Sequence, residues 1–142
     1  MSRELALRAL RSALAKCAYR ITKQRMSIVR EFAAVGRYVT AKELHHRLAR
    51  KRSGVGLATV YRTLEALQDV GAASARPQPH GETGFLFCPA DHHHHAVCTR
   101  CGRVEDVPCK SIGKIARELT SGLRFTTTQH RLEFLGLCER CS

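Results

Sequence analysis

The first part of the chain alternates apolar and polar residues with the spacing of α-helices, which predicts three short helices in succession. The first covers residues 3–18, the second follows Thr22 as its N-cap and ends near Gly36, and the third opens at Thr40. Thr40 and Glu43 have the spacing of a capping box, in which each side chain accepts a hydrogen bond from the other residue's backbone N–H. The third helix ends in a basic loop.

A fourth helix is predicted from Gly56 to Gly71, and two of its faces differ. One face is apolar, because Val60, Leu64 and Leu67 recur at helical spacing. Another carries small or hydrogen-bonding side chains, which are Thr59, Arg62, Thr63 and Ala66. A helix with such an outer face fits the major groove of DNA, so the helices together predict a helix-turn-helix. The alternative is an ordinary helical bundle in which Arg62 is solvated.

The segment after the fourth helix predicts a β-hairpin. Residues 72–76 and 83–88 can pair, and the tip between them is rich in Pro and Gly. A hairpin directly after a helix-turn-helix is typical of the wing of a winged helix.

The pattern changes past residue 92. Short strands are predicted at 96–97 and 104–107, a helix runs from Ile112 to Gly122, and a long strand covers residues 125–137. The predicted fold class is α+β, with an N-terminal winged helix-turn-helix over residues 1–88 and a small α/β domain over residues 89–142.

Charge is concentrated in the first part. The formal net charge is +12, from 24 Lys and Arg against 12 Asp and Glu. Residues 1–88 hold 16 basic and 6 acidic residues, a balance of +10, whereas residues 89–142 hold 8 and 6, a balance of +2. This asymmetry indicates a surface for a polyanion, although a merely soluble basic protein is the alternative. No secretory signal or membrane-spanning apolar run is visible, which predicts a cytoplasmic protein.

The second part holds most of the candidate chemistry. Two Cys-x-x-Cys pairs, Cys98 with Cys101 and Cys138 with Cys141, supply the four thiolates of a closed tetrahedral zinc site. Gly102 suits the turn that follows the first pair, because glycine accepts positive φ. Reactive dithiols or disulfides are the alternative, and a reducing compartment favours metal. Another two of the seven cysteines, Cys17 and Cys109, are interpreted as small, partly buried thiols.

These motifs together resemble the ferric-uptake-regulator family of metal-dependent bacterial repressors, over about residues 22–141. The motifs that carry the resemblance are Thr22-x-Gln24-Arg25, Thr40-Ala41-Lys42-Glu43-Leu44, Leu57-Ala58-Thr59-Val60-Tyr61-Arg62-Thr63-Leu64, the histidines 92–95, Cys98-x-x-Cys101-Gly102, and His130 followed by Gly136-x-Cys138-x-x-Cys141. The resemblance implies a homodimer that binds an inverted-repeat DNA operator, with residues 89–142 as the dimerisation domain.

The resemblance also implies roles for single residues. Tyr61 and Arg62, with Thr59 beside them, match the helix that touches DNA, and Arg20 matches a basic residue that reaches the minor groove. The four thiols Cys98, Cys101, Cys138 and Cys141 match a structural zinc site.

A second, regulatory zinc ion is implied at Cys88, His93 and His95, which makes two zinc ions per chain. His93 and His95 alternate along an extended segment and so point the same way, while His92 and His94 point the other way. The fourth ligand is open: His80 is the first candidate and Glu82 the second, because Ser74 and Pro77 stand where the family's zinc sensors place ligands.

The thiol of Cys88 decides the expected metal. Thiolate is a soft ligand that favours zinc over iron or manganese, so the most similar subgroup is that of zinc uptake regulators, which repress zinc import genes. An iron, manganese or peroxide sensor on the same fold is the alternative. A hydrolytic zinc enzyme is a further class, although no convincing general base is visible.

The family's third metal site is only partly matched. His92, His94 and His130 are present, but Gly113 occupies the position of the family's Glu.

Overall fold

The computed structural model describes residues 14–15, 19–78, 81–88, 93–126 and 130–142. The chain divides into two compact units, Met1–Ala90 and Asp91–Ser142. The expected domain boundary after residue 88 falls next to residues outside the described part and stays a prediction. Most of the predicted helix 3–18 also lies outside it, with only Leu14 and Ala15 described as helical.

Three helices form the body of the first unit: α1 (Lys23–Val35), α2 (Ala41–Arg50) and α3 (Leu57–Asp69). Their predicted caps are confirmed. The Thr22 side chain accepts a hydrogen bond from the backbone N–H of Arg25, and α1 ends at Gly36 with φ of 64°. Thr40 and Glu43 form the complete capping box. These caps satisfy backbone groups that a helix end would otherwise leave unpaired.

A three-stranded antiparallel sheet completes the first unit. Its strands β1 (Val39–Thr40), β2 (Ala73–Pro77) and β3 (Thr83–Phe87) lie in the order β1-β3-β2. The predicted wing hairpin is confirmed, with Ala73 opposite Phe87 and Pro77 opposite Thr83. Strand β1 was not predicted, because its two residues give no recognisable alternation.

One apolar core joins the three helices to this sheet. Its fully buried members include Ile28 on α1, Leu44 on α2 and Leu64 on α3. Phe32 also makes an edge-to-face contact with Phe87, with ring centroids 5.8 Å apart. Burial of each large apolar side chain contributes roughly 1.5–3 kcal/mol. This shared core therefore fixes the position of α3 relative to α1, α2 and the sheet.

A buried carboxylate ties α1 to the end of α2. Glu31 is 5% exposed and accepts hydrogen bonds from Arg47, at 2.9 Å, and from Lys51. Both partners lower the pKa of Glu31, with Lys51 the larger cause and burial opposing them. The ammonium group of Lys51, in the basic loop after α2, thus pairs with a carboxylate of the same unit.

The second unit contains β4 (His93–Cys98), β5 (Val104–Pro108), α4 (Lys110–Thr120) and β6 (Glu133–Gly136). Its sheet has the order β5-β4-β6, with β4 antiparallel to β5 and parallel to β6. The α+β class of the chain is confirmed.

The predicted long strand 125–137 is wrong in extent. Among its described residues only Glu133–Gly136 is strand. The register aligns Glu133 with His95, so residues before 131 have no residue of β4 opposite them. β-branched and aromatic residues favour a strand only where a partner strand is available.

None of the helices in the described ranges combines the length and the apolar character that crossing a membrane requires.

Candidate metal centres and nucleic-acid interface

Four thiols converge at one end of the second unit. Cys98 ends β4, Cys101 follows in a turn, and Cys138 and Cys141 flank the turn after β6. The parallel pairing of β4 with β6 sets Cys98 opposite Gly136, which brings the two Cys-x-x-Cys turns together. The first turn is closed by the Gly102 N–H donating to the Cys98 carbonyl at 2.9 Å, with Gly102 at φ of 74°.

The spacing of these sulfurs fits zinc. All four Sγ atoms lie within 4.8 Å of one another, and those of Cys101 and Cys138 are 3.6 Å apart. Two thiolates on one tetrahedral zinc ion lie about 3.8 Å apart, from Zn–S bonds of about 2.3 Å. The four side chains can therefore hold one ion with little movement.

The electrostatics of this cluster also suit a cation. Backbone N–H groups of Cys101 and Cys138 donate to the Cys98 sulfur and lower its pKa to about 6. Hydrogen bonding among the thiols raises the pKa of Cys141 to about 12, with Cys101 the first cause. The sulfur of Cys98 is therefore ionised at neutral pH, whereas that of Cys141 keeps its proton. A divalent ion would replace that proton, because zinc binds thiolates and releases protons on binding.

Two histidines form a second donor group on β4. Their Nε2 atoms, on His93 and His95, lie 3.1 Å apart, which confirms that alternate residues of this segment point the same way. Burial, and then the neighbouring His93, lower the pKa of His95. The ring is therefore neutral at physiological pH, the form in which imidazole binds a metal.

The other predicted members of the regulatory site belong to the first unit. Cys88 follows strand β3, its backbone N–H donates to the Ala72 carbonyl at 3.0 Å, and its thiol is 3.6 Å from the Leu86 carbonyl. The thiol is buried. His80 lies outside the described residues, so its role as the fourth ligand stays a prediction. Glu82, the second candidate, forms an ion pair with Lys42.

A third donor group lies on the opposite side of β4. The donor atoms of His94, Cys109 and His130 lie within 4.8 Å of one another. Two residues predicted for the third metal site, His94 and His130, are in ring contact with centroids 4.9 Å apart, whereas His92 lies outside the described residues. The interpretation of Cys109 as a small, partly buried thiol agrees with its burial, but sequence reasoning did not place it beside these two histidines. The available signal in the sequence was Gly113, four residues after Cys109. Glycine cannot supply the fourth ligand of the family's third metal site, so a different side chain would have to do so.

Helix α3 presents the candidate DNA-contacting surface. Tyr61 is 38% exposed, and Arg62 is also exposed, whereas Thr59 is partly buried. The expectation that Thr63 and Ala66 share this outer face is wrong, because both are buried. The Thr63 hydroxyl donates to the Thr59 carbonyl at 2.7 Å, which satisfies it within the core.

Arg20 lies just before α1 and is exposed. Its carbonyl accepts a hydrogen bond from the Arg25 side chain at 2.8 Å, which fixes the chain at the entrance to α1. The guanidinium of Arg20 remains available to solvent in this arrangement. Its contact with a DNA minor groove stays a prediction.

Comparison with known proteins decides the family. A model of the ferric uptake regulator family matches residues 16–135, most of the chain and both units. The chain belongs to this family. Ferric uptake regulators are metal-responsive transcription regulators, so the chain is a regulator and not an enzyme.

Individual relatives differ in what they sense. The peroxide-responsive repressor PerR of Staphylococcus epidermidis is 28% identical over 92% of this chain and 86% of its own length. FurB of M. tuberculosis, described as a zinc uptake regulator, is 32% identical over 84% of this chain and 93% of its own, with a TM-score of 0.50. A zinc uptake regulator solved with zinc and DNA has a TM-score of 0.74 at 21% identity, covering 99% and 95% of the two chains, and this likeness shows the fold.

Proposed function

We propose that this ferric uptake regulator is a zinc-responsive repressor. In this proposal it binds an inverted-repeat operator as a homodimer when zinc is bound, and it represses genes for zinc uptake.

The observation that carries the proposed regulatory site is the pair of Nε2 atoms of His93 and His95, and the thiol of Cys88 carries the choice of metal. Their 3.1 Å separation is close to the value of about 3.3 Å for two imidazoles on one tetrahedral zinc ion, from Zn–N bonds of about 2.0–2.1 Å. We propose that Cys88 supplies a third, sulfur ligand and His80 a fourth. A thiolate with imidazoles is a soft to borderline donor set, which suits zinc better than iron or manganese.

The four thiols at Cys98, Cys101, Cys138 and Cys141 are proposed to hold a second, structural zinc ion. A site closed by four protein ligands leaves no position for a substrate, and its binding energy becomes folding energy. The ion bound by the four thiols would then stabilise the second unit, and the ion in the regulatory site would bind or leave as the zinc concentration changes.

Exposed apolar side chains support a dimer formed through the second unit. Among the described residues, the large hydrophobic side chains exposed there are Ile115, Leu119, Leu123, Phe125, Leu132, Phe134, Leu135 and Leu137. Strand β6 also lies at the edge of its sheet. Apolar surface concentrated on one part of a protein marks an interface, and a second copy of this chain is the proposed occupant.

DNA binding is proposed to use α3, with Tyr61 and Arg62 at the bases, and Arg20 at the minor groove. The basic balance of residues 1–88 supports a large, salt-dependent contribution from phosphate contacts. Zinc in the regulatory site would restrict the arrangement of the two DNA-binding units of the dimer, since operator half-sites demand one spacing. The 32% identity to FurB, a zinc uptake regulator, supports zinc as the metal to which this chain responds.

A peroxide-responsive repressor is the second candidate, because PerR of S. epidermidis matches nearly the whole chain at 28% identity. The two candidates differ in the metal that activates DNA binding and in the response to hydrogen peroxide.

The test begins with duplex DNA selected from a random library on zinc-loaded protein. Binding to the enriched sequences is then measured by fluorescence anisotropy after mild chelation and after addition of Zn²⁺, Mn²⁺ or Fe²⁺. The proposal expects zinc to restore tight binding at free concentrations at which manganese and iron do not. Equal binding with and without zinc, or activation by iron with loss on peroxide treatment, would overturn it.

A further inference from the structure

Three side chains from separate parts of the second unit meet on the side of β4 opposite to His93 and His95. His94 comes from the middle of β4, Cys109 lies at the junction of β5 and α4, and His130 lies shortly before β6. The sheet register explains the meeting, because His94 is opposite Val107 on one neighbouring strand and His95 is opposite Glu133 on the other.

The distances within this group match those of a metal site. The Cys109 sulfur is 3.5 Å from Nε2 of His130. A thiolate and an imidazole bound to the same tetrahedral zinc ion lie about 3.6 Å apart. The third donor atom, from His94, lies within 4.8 Å of both, so a small movement of one ring completes a three-ligand site.

We propose that His94, Cys109 and His130 form a further zinc site in which Cys109 is a direct ligand. The family's third metal site is incomplete in this chain, because Gly113 has no side chain that could bind an ion. In the structure the sulfur of Cys109 can take that role, and Cys109 lies just before α4 and not within the helix.

The sulfur sets the class of ion. A carboxylate in this position would suit manganese or iron, whereas a thiolate with two imidazoles favours zinc. Three protein ligands leave one tetrahedral position, which water can fill. Negative charge on a zinc-bound thiolate is also favoured where Cys109 stands, because it is the N-cap residue of the eleven-residue helix α4.

An ion at this site would couple the start of α4 to the sheet. His94 is 2% exposed, whereas Cys109 and His130 are partly buried. Loading should therefore protect Cys109 from reagents while changing the secondary structure little. The protein would carry three zinc ions per chain, one more than the two predicted from its sequence.

Differential alkylation tests this directly, because Cys109 is the only cysteine in the tryptic peptide of residues 104–110. Full-length protein that retains its tightly bound zinc is treated with iodoacetamide, either after mild chelation or with added Zn²⁺ or Mn²⁺, and the peptide is quantified by mass spectrometry. Since the free thiolate is the nucleophile, zinc is expected to slow alkylation of Cys109 by at least about tenfold, and manganese is expected to have little effect.

Variants locate the ion. His130→Ala should abolish the protection by zinc, whereas the control His46→Ala, an exposed histidine on α2, should leave it intact. Circular dichroism of each variant checks that it is folded. Protection that persists in His130→Ala, or no protection by zinc in the unaltered protein, would overturn the proposal.

Zinc counting separates this inference from the proposed function. Cys88→Ser protein should retain two ions per chain by elemental analysis, and Cys88→Ser/Cys109→Ala protein should retain one. If Cys109 is protected by zinc but Cys88→Ser changes neither zinc content nor DNA binding, the regulatory site fails and the site at Cys109 stands. Equal zinc content in the single and double variants would count against the site at Cys109.

Discussion

Nε2 of His93 and Nε2 of His95 lie 3.1 Å apart on one side of strand β4. At this distance one neutral imidazole can donate an N–H···N hydrogen bond to the other, and a shared zinc ion would hold the same two atoms about 3.3 Å apart. The strand provides this separation, because residues i and i+2 of a strand lie on the same side of the sheet. Metal binding therefore needs little reorganisation of these two ligands.

Replacing Cys88 with serine is expected to remove the response to zinc while leaving the folded protein intact. A hydroxyl is a poor zinc ligand compared with a thiolate. The affinity for DNA enriched on the zinc-loaded protein should fall by at least about tenfold at a fixed free zinc concentration, by mass action on the population competent to bind. Fluorescence anisotropy measures this, and unchanged zinc dependence would exclude Cys88 as a ligand.

Replacing Cys98 with serine is expected to have a different result, namely loss of the tightly held zinc and of the folded second unit. Structural zinc can contribute on the order of 10 kcal/mol to folding. Zinc content by elemental analysis and molar mass by light scattering are the measurements. The matched control is Glu139→Gln, because Glu139 lies between Cys138 and Cys141 and is exposed. A folded dimer of Cys98→Ser with unchanged zinc would show that the four thiols do not hold the ion.

Arg62→Ala is expected to relax sequence preference more than it weakens general DNA affinity. One lost base contact by an arginine costs about 1–3 kcal/mol of discrimination. Arg50, exposed at the end of α2, provides a better control than Lys51, whose removal would also disturb Glu31. Arg50→Ala should leave the preference unchanged and, if Arg50 contacts phosphate, lower the salt dependence. Both effects are measured by competition binding. If Arg50→Ala lost sequence preference and Arg62→Ala kept it, the DNA-contacting face of α3 would be wrongly assigned.

Glu31→Gln is expected to destabilise the first unit by about 1–3 kcal/mol at pH 7, because a buried charged acceptor of two hydrogen bonds is removed. The folded-state pKa of Glu31 is lowered from 4.5, so its contribution is complete above pH 4.5 and is lost as pH falls through the lower folded value. The unaltered protein and Glu31→Gln should therefore differ less in their free energy of unfolding, measured in urea, as the pH falls below 4.5. Glu65→Gln, at an exposed site on α3, should show no such difference.

Local signals in the sequence predicted more than non-local ones. The cap at Thr22 and the capping box at Thr40 were predictable, because a cap involves residues three positions apart. The wing followed from turn residues between two apolar runs. The length of β6 was not predictable, since it depends on where the parallel strand β4 begins and not on the residues of 125–137 themselves.

The candidate sites show the same division. The spacing within each Cys-x-x-Cys pair indicates a metal site, and alternation along β4 correctly separated His93 from His94. The approach of Cys109 to His130 depends on how three elements pack, which no spacing records. Burial of Thr63 and Ala66 was missed because small residues suit both an exposed groove-binding face and close helix packing.

The six residues of β4 also limit how this protein can change. Donor groups alternate across the strand, with His93 and His95 on one side and His94 on the other, and Cys98 closes its end. Point substitutions can alter one group and spare the rest. Deletion of a single residue within the strand would move the following side chains to the opposite side of the sheet, so that the histidines would no longer face the other ligands of their sites. Hydrogen bonding to β5 on one edge and β6 on the other opposes such a slip, so that we expect natural variants to differ here by replacement and not by length.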